Sequence, residues 1–87
     1  MTARLAAMRN LGEKSAAWLA EVGIKTPEEL ADVGAVEAYA RVKAARPREA
    51  SLVMLWALYG ALNDMHFAAV PPEVKDMLKD MLRQRPA

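Results

Sequence analysis

Apolar residues recur along the chain at intervals of three and four, which is the spacing of one face of an α-helix. Glycine, proline and asparagine residues divide this pattern into six segments, each about the length of one short helix. The predicted helices are Thr2 to Arg9, Glu13 to Val22, Pro27 to Val33, Ala35 to Ala45, Leu52 to Asn63 and Glu73 to Arg83. The sequence therefore predicts an all-α fold, a compact bundle of five or six short helices in one domain over residues 1–87.

The helix boundaries carry local signals. Thr26 is expected to cap the third helix, with Pro27 at its first position and Glu29 three residues after the cap, which is the pattern of a capping box. Gly23 stands where a helix ends in the left-handed conformation. Ser51 is expected to cap the fifth helix.

The fifth segment, "LVMLWALYGAL" from Leu52 to Leu62, is apolar on most sides and is predicted to be a buried central helix. It is too short for a membrane span of about 20 residues. The N-terminal stretch lacks the long apolar region of a signal peptide. With no cysteine in the chain, these features favour a cytoplasmic protein that does not enter a membrane.

Composition and charge narrow the possible functions. Twelve basic and eleven acidic side chains give a net charge of +1, so only a local basic patch would favour nucleic acid. The absence of cysteine excludes disulfides, thiolate metal sites and a cysteine nucleophile. His66 is the only histidine, and Asp76 and Asp80 have lysines beside them, which indicates a solvated helix face. We therefore predict no enzymatic activity, no metal and no cofactor.

The turn Asn10–Leu11–Gly12 separates the first two helices and suggests a helix-hairpin-helix, in which such a turn normally reads Gly–apolar–Gly. Asn tolerates the left-handed region better than other non-glycine residues, so it can replace the first glycine. The hypothesis is that turn amides bind a phosphate beside a helix N-terminus. The proposed contacts are Arg9, Asn10, Leu11, Gly12, Lys14 and Ser15. The alternative is a connecting turn that only packs Leu11 inward.

A second candidate contact is the basic stretch "RVKAARPR", which contains Arg41, Lys43, Arg46 and Arg48. Four cations within eight residues could neutralise several phosphates. They could equally be a solvated helix end, where basic residues are favoured.

Methionines and tryptophans leave a further alternative open. Four methionines, Met54, Met65, Met77 and Met81, could line an adaptable groove for a partner. Core filling is the favoured interpretation, since Met77 and Met81 share an apolar stripe in the last helix. Trp18 and Trp56 are likewise expected in the core.

Two stretches together resemble the C-terminal domain of the TfoX/Sxy family of competence regulators. They are "NLGEKSAAWLAEVGIKTPEELADVGAVEAYARVKA" and "SLVMLWALYGALNDMHF", followed by an amphipathic last helix. The resemblance extends from about Leu5 to Leu82. It implies an all-helical domain with a helix-hairpin-helix-like core and a role in bacterial transcriptional control linked to DNA uptake. Family members often carry an additional N-terminal domain, so the chain is expected to be a stand-alone version or a fragment.

Two functions follow from the sequence. The first is a non-enzymatic regulatory domain that contacts the DNA backbone or a DNA-bound transcription regulator. The alternative is a module for protein–protein interaction, or for self-association into a homo-oligomer, that does not bind DNA. If the two basic groups share one face, nucleic acid is favoured. An exposed apolar patch that contains Trp18 or the methionines favours a protein partner.

Overall fold

The computed structural model describes residues 4–85, which form five α-helices and two 3₁₀ turns without any β-strand. The helices are α1 (Glu13–Glu21), α2 (Pro27–Val33), α3 (Ala35–Ala45), α4 (Leu52–Leu62) and α5 (Pro72–Gln84). The 3₁₀ turns are Leu5–Ala7 and Phe67–Ala69. The all-α prediction is confirmed.

The start of α2 is built as its sequence predicts. The backbone N–H of Glu29 donates to Thr26 Oγ1 at 3.1 Å, and Glu29 Oε1 accepts from the backbone N–H of Lys25 at 2.9 Å. The return bond thus reaches the residue before the cap. At the other end, Gly34 ends α2 with a φ of +87° and leads directly into α3. Both boundaries of this helix are therefore set by residues within the segment itself.

Three expectations about the elements need correction. The first predicted helix is a single 3₁₀ turn, Leu5–Ala7, within the described residues, and its predicted start at Thr2 lies outside them. Ser51 occupies the N-cap position of α4, but its side chain makes no capping hydrogen bond. The segment between α4 and α5, which the sequence does not assign to a helix, contains the second 3₁₀ turn, Phe67–Ala69.

Helices α3 and α4 organise the core. Helix α3 contacts α1, α2, α4 and α5. Helix α4 has the largest number of buried side chains, as its apolar sequence predicts, and Leu55 and Leu58 are fully buried. Trp56 also lies in the core, with 8% of its surface exposed. Because α3 and α4 pack together at the centre, the surfaces left for binding lie on the outer helices and at their junctions.

Candidate binding surfaces

The Asn10 turn adopts the left-handed conformation that its residue type suggested, with a φ of +71°. Its side-chain amide donates to the carbonyl of Met65 at 2.8 Å and to that of Ala57 at 3.3 Å. Its Oδ1 atom accepts the backbone N–H of Phe67 at 3.1 Å. Asn10 thus ties the N-terminal turn to α4 and to the segment that follows α4.

Gly60 makes this arrangement possible. A Cβ atom built on Gly60 would collide with the carbonyl oxygen of Met65 and with the side-chain amide of Asn10. The backbone N–H of Met65 also donates to the carbonyl of Gly60 at 2.8 Å. We call Asn10, Gly60 and the backbone of Met65–Phe67 the Asn10 anchor. Every polar atom of the Asn10 side chain is engaged within it.

The other residues proposed to contact a phosphate differ in burial and in hydrogen bonding. The amide of Leu11 donates to the carbonyl of Met8 at 3.1 Å, and the Leu11 side chain is buried. Gly12 is exposed at the N-cap position of α1, and Ser15 is half-buried in the first turn of that helix. Arg9 forms an exposed ion pair with Asp64 at 3.6 Å. The Leu11 amide is therefore already engaged, whereas Gly12 remains accessible.

Trp18 brings members of the two basic groups together. Lys14 Nζ lies 5.2 Å from the centre of a Trp18 ring, and the guanidinium carbon of Arg46 lies 5.3 Å from it. Both distances are within the range of a cation–π interaction. Trp18 is half-buried and packs against the core, so it is less buried than expected. We call Lys14, Trp18 and Arg46 the Trp18 face.

Arg46 is already engaged by carboxylates. It contacts Glu21 at 2.7 Å and Glu49 at 2.9 Å, and so links α1 to the end of α3. The hydrogen bond from Arg46 lowers the pKa of Glu21, and the pKa of Arg46 is raised mainly by the same bond. Both groups therefore stay charged near neutral pH. The positive charge of Arg46 is balanced by the carboxylates of Glu21 and Glu49.

The remaining cations of the basic stretch differ in how they are held. Arg41 pairs with Glu37 at 2.8 Å, one turn earlier on α3. Lys43 Nζ donates to the carbonyls of Pro47 and Ala50, at 2.7 Å and 2.9 Å. Arg48 is exposed and makes no ion pair within residues 4–85. The stretch thus presents fewer available charges than its sequence suggests.

A separate surface is an open apolar groove of about 450 Å³ between the α2–α3 junction, the end of α4 and α5. Its large apolar lining residues are Val33, Val36, Tyr59, Leu62, Met77, Leu78 and Met81. Met77 and Met81 keep 47% and 49% of their surface exposed. We call this surface the α5 groove.

The exposure of Met77 and Met81 corrects the interpretation that they fill the core. Of the apolar stripe on α5, only Leu78 is buried, and Val74 and Leu82 are partly buried. Met54, by contrast, is buried in α4. The apolar face of α5 has five residues, which is more than its contact with the rest of this small protein can bury. That surplus of apolar residues is the one sequence feature that could have indicated the groove.

The charged residues of the groove, Glu37 and Arg85, bind each other. Arg85 contacts Glu37 at 2.6 Å, and Arg41 contacts the second oxygen of the same carboxylate. The hydrogen bonds from Arg85 and then from Arg41 lower the pKa of Glu37. This carboxylate is therefore ionised and bridged between α3 and the end of α5.

His66 has a local structural role. Its Nδ1 atom accepts the backbone N–H of Ala68 at 3.1 Å and caps the second 3₁₀ turn, while its ring stacks on Phe67.

Asp76 and Asp80 are exposed and pair with Lys79 and Arg83. Between Arg4 and Arg85 there is no group of three or more His, Asp or Glu side chains that could hold a metal ion. Within the same range, no helix has the length and apolarity needed to cross a membrane.

Comparison with known proteins identifies relatives of this architecture. The model of the family described as the TfoX C-terminal domain matches residues 1–82. A crystal structure of an uncharacterized protein from Listeria monocytogenes, in a triclinic form, is similar with a TM-score of 0.84 and 32% identity, covering 93% of this chain and 91% of that one. A crystal structure of a Listeria monocytogenes protein of unknown function, in a tetragonal form, is similar with a TM-score of 0.81 and 32% identity. This similarity covers 91% of this chain and 96% of that one. No curated protein matches the chain.

Proposed function

The chain belongs to the TfoX C-terminal domain family, and we propose that it is a non-enzymatic regulatory domain that binds a protein partner, such as a transcription regulator, in the α5 groove. The observation that carries this proposal is the exposure of Met77 and Met81 in the lining of an open apolar groove. Exposed large apolar side chains that form a patch mark interaction sites, whereas single ones are ordinary surface. Methionine adapts its shape to a partner because its side chain is unbranched and flexible.

The charge distribution supports a protein partner. Three of the six basic side chains proposed for nucleic acid are paired with carboxylates: Arg9 with Asp64, Arg41 with Glu37, and Arg46 with Glu21 and Glu49. A phosphate would have to displace these carboxylates before it gained the cation. A partner that binds in the α5 groove displaces no ion pair from Met77 and Met81, since these apolar side chains already face solvent.

The absence of catalysis is part of the proposal. Glu37 is the carboxylate of the groove, and its lowered pKa makes it a poor general acid near neutral pH. Its two arginine contacts also occupy the oxygens that a general base would use.

A selection experiment tests the proposal. A library of random 16-residue peptides would be selected on the wild-type chain and, in parallel, on the M77Q/M81Q variant. Both positions are about half exposed, so the variant should fold normally, which a thermal melt would verify. We expect the wild type to enrich sequences with apolar residues at intervals of three and four, and the variant to lose that enrichment. No enrichment on the wild type, or equal enrichment on both, would overturn the proposal.

A second candidate function is contact with a nucleic-acid backbone, and the Trp18 face favours it. Lys14 belongs to the turn group and Arg46 to the basic stretch, yet both lie on one tryptophan ring. Two members of the predicted contacts therefore share a face, and Arg48 adds an exposed cation nearby in sequence. Phosphate contacts made there would position the chain without reading base sequence.

The test of this second function is binding to a labelled duplex over a salt series. The K14A/R48A variant would be compared with K75A/K79A, which removes the same charge from α5. Binding that weakens steeply with salt and is lost only in K14A/R48A would support backbone contact. No binding at low salt by the folded chain would eliminate it.

A further inference from the structure

The size of the α5 groove limits what can occupy it. A standard protein interface removes about 800 Å² from each partner, roughly a seventh of the 5343 Å² surface of this chain. The groove is a local feature of about 450 Å³, with Met77 and Met81 one helical turn apart on one wall. This geometry suits the binding of a single amphipathic helix, in which two or three apolar side chains one turn apart enter the groove.

The charges beside the groove differ in availability. Glu73 lies one turn before Met77, and Glu29 lies one turn before Val33, so each shares a helix face with a lining residue. Within residues 4–85 Glu73 makes no ion pair, and the Glu29 carboxylate accepts only the backbone N–H of Lys25. Their carboxylates therefore keep their charge available.

The cations at the groove are not available in the same way. Arg85 and Arg41 both bind Glu37, at 2.6 Å and 2.8 Å. On α5, Asp80 lies three residues after Met77 and is paired with Arg83. Lys75, one turn before Leu78, has its Nζ over the ring of Trp56, which does not line the groove. Among the charged side chains one turn from a lining residue of the same helix, Glu29 and Glu73 therefore remain, without an ion pair or a ring contact within residues 4–85.

A second copy of this chain fits these charges poorly. A two-fold dimer through the groove would place the same patch on both sides. The carboxylate of Glu73 would then approach a second acidic patch, and like charges disfavour such a pairing.

We infer that the groove takes an amphipathic helix of another protein, whose apolar anchors are flanked by lysine or arginine residues. This inference rests on the proposed docking function and adds to it the chemistry of the partner. Apolar contact with Met77 and Met81 supplies most of the affinity, and the pairing of basic residues with Glu29 and Glu73 supplies the preference for a basic partner.

Three synthetic 16-residue helical peptides test the inference by fluorescence anisotropy. The first carries leucines at i, i+4 and i+7 with lysines beside them, the second replaces those lysines with glutamates, and the third keeps the lysines but replaces the leucines with alanines. We expect the first to bind the wild type about fivefold more tightly than the second at 0.1 M salt. The third should show no measurable binding.

Matched variants place the effect at the groove. In E29Q/E73Q the difference between the lysine and glutamate peptides should fall below about twofold. E28Q/D76N removes the same charge from exposed positions that are not one turn from a lining residue, and it should keep the full preference. A preference lost equally in both variants would show only the effect of net charge and would overturn the inference.

The remaining outcomes separate the inference from the docking function. If both leucine peptides bind equally and M77Q/M81Q abolishes both, the docking function stands and the preference for a basic partner is wrong. If the alanine peptide binds as tightly as its leucine counterpart, apolar anchoring is wrong. If no peptide binds, the inference is overturned, and the library selection then decides independently whether the groove binds any peptide.

Discussion

The Asn10 anchor and the α5 groove present opposite kinds of surface. In the anchor, one half-buried side chain makes three hydrogen bonds to backbone groups of α4 and of the segment after it. In the groove, two methionines keep about half of their surface exposed. Polar groups that are hydrogen-bonded within the protein stabilise the fold but offer little to a ligand. Covering an exposed apolar surface with a partner is favourable, because it removes that surface from water.

The two regions therefore differ from what the sequence alone predicts for them. The turn that resembles a phosphate-binding motif is held by contacts within the fold. The stripe that resembles ordinary core is partly available to a partner. Substitutions in the two regions test this difference, and their expected effects on stability range from about 3 kcal/mol to less than about 0.5 kcal/mol.

Gly60→Ala should have the largest effect. The added Cβ meets the Met65 carbonyl and the Asn10 amide, so the anchor must open or α4 must shift. We expect a loss of about 3 kcal/mol in the free energy of unfolding, measured by urea denaturation. A loss below about 0.5 kcal/mol would contradict the close packing of the anchor.

Asn10→Ala should cost about 2 kcal/mol, because it leaves the Met65 carbonyl and the Phe67 amide without their partner. Asn10→Gly keeps access to the left-handed region and removes the same hydrogen bonds. If the glycine variant were as stable as the wild type, the backbone conformation and not the side chain would be the essential feature.

Thr26→Ala and Ser51→Ala compare two residues at N-cap positions. Thr26 caps α2 with a hydrogen bond, so its loss should cost about 1 kcal/mol. Ser51 makes no capping bond, so its replacement should change stability by less than about 0.5 kcal/mol. Thermal melts of the two variants measure the difference, and equal losses would contradict the assignment of the caps.

Acid should weaken the rim of the groove through Glu37, whose carboxylate joins α3 to the end of α5. The pKa of Glu37 is lowered in the folded chain, so its contribution to stability is present above the unfolded value of about 4.3 and is lost as the pH falls through the folded pKa. We expect Glu37→Gln to flatten the acid side of the stability profile. Glu28→Gln, with no arginine contact, serves as the control and should leave the profile unchanged.

M77Q/M81Q should have the smallest effect on stability, below about 0.5 kcal/mol per substitution, because both side chains are largely exposed. The same variant should lose at least tenfold in affinity for the lysine-flanked leucine peptide, since its anchors lose their apolar wall. A large loss of stability would show that these methionines belong to the core.

The cap at Thr26 and the turn at Asn10 were predictable from the sequence, and contacts between distant residues were not. The cap at Thr26 involves residues three apart, so a short stretch contains all the information needed. The left-handed conformation of Asn10 followed from its residue type and the adjacent turn. Its hydrogen-bond partners are 47 to 57 residues away, and no local pattern specifies them.

The binding surfaces show the same limit. The basic stretch was visible as composition, but its pairing depends on Glu21, which α1 brings to Arg46 from 25 residues away. Met77 and Met81 fit a helical stripe as well as Leu78 does. Periodicity gives the direction in which a side chain points, while the width of the contact with α3 decides which of these residues remains exposed.

The most direct test is an NMR titration of the chain labelled with ¹³C at its methionine methyl groups and with ¹⁵N at its backbone. One sample receives the lysine-flanked leucine peptide, and a second receives a DNA duplex at low salt. We predict that the peptide shifts the methyl signals of Met77 and Met81, and that the duplex leaves the amides of Gly12 to Ser15 unchanged. A duplex that shifts those amides, together with a peptide that leaves both methionines unmoved, would contradict the assignment of the groove as the working surface.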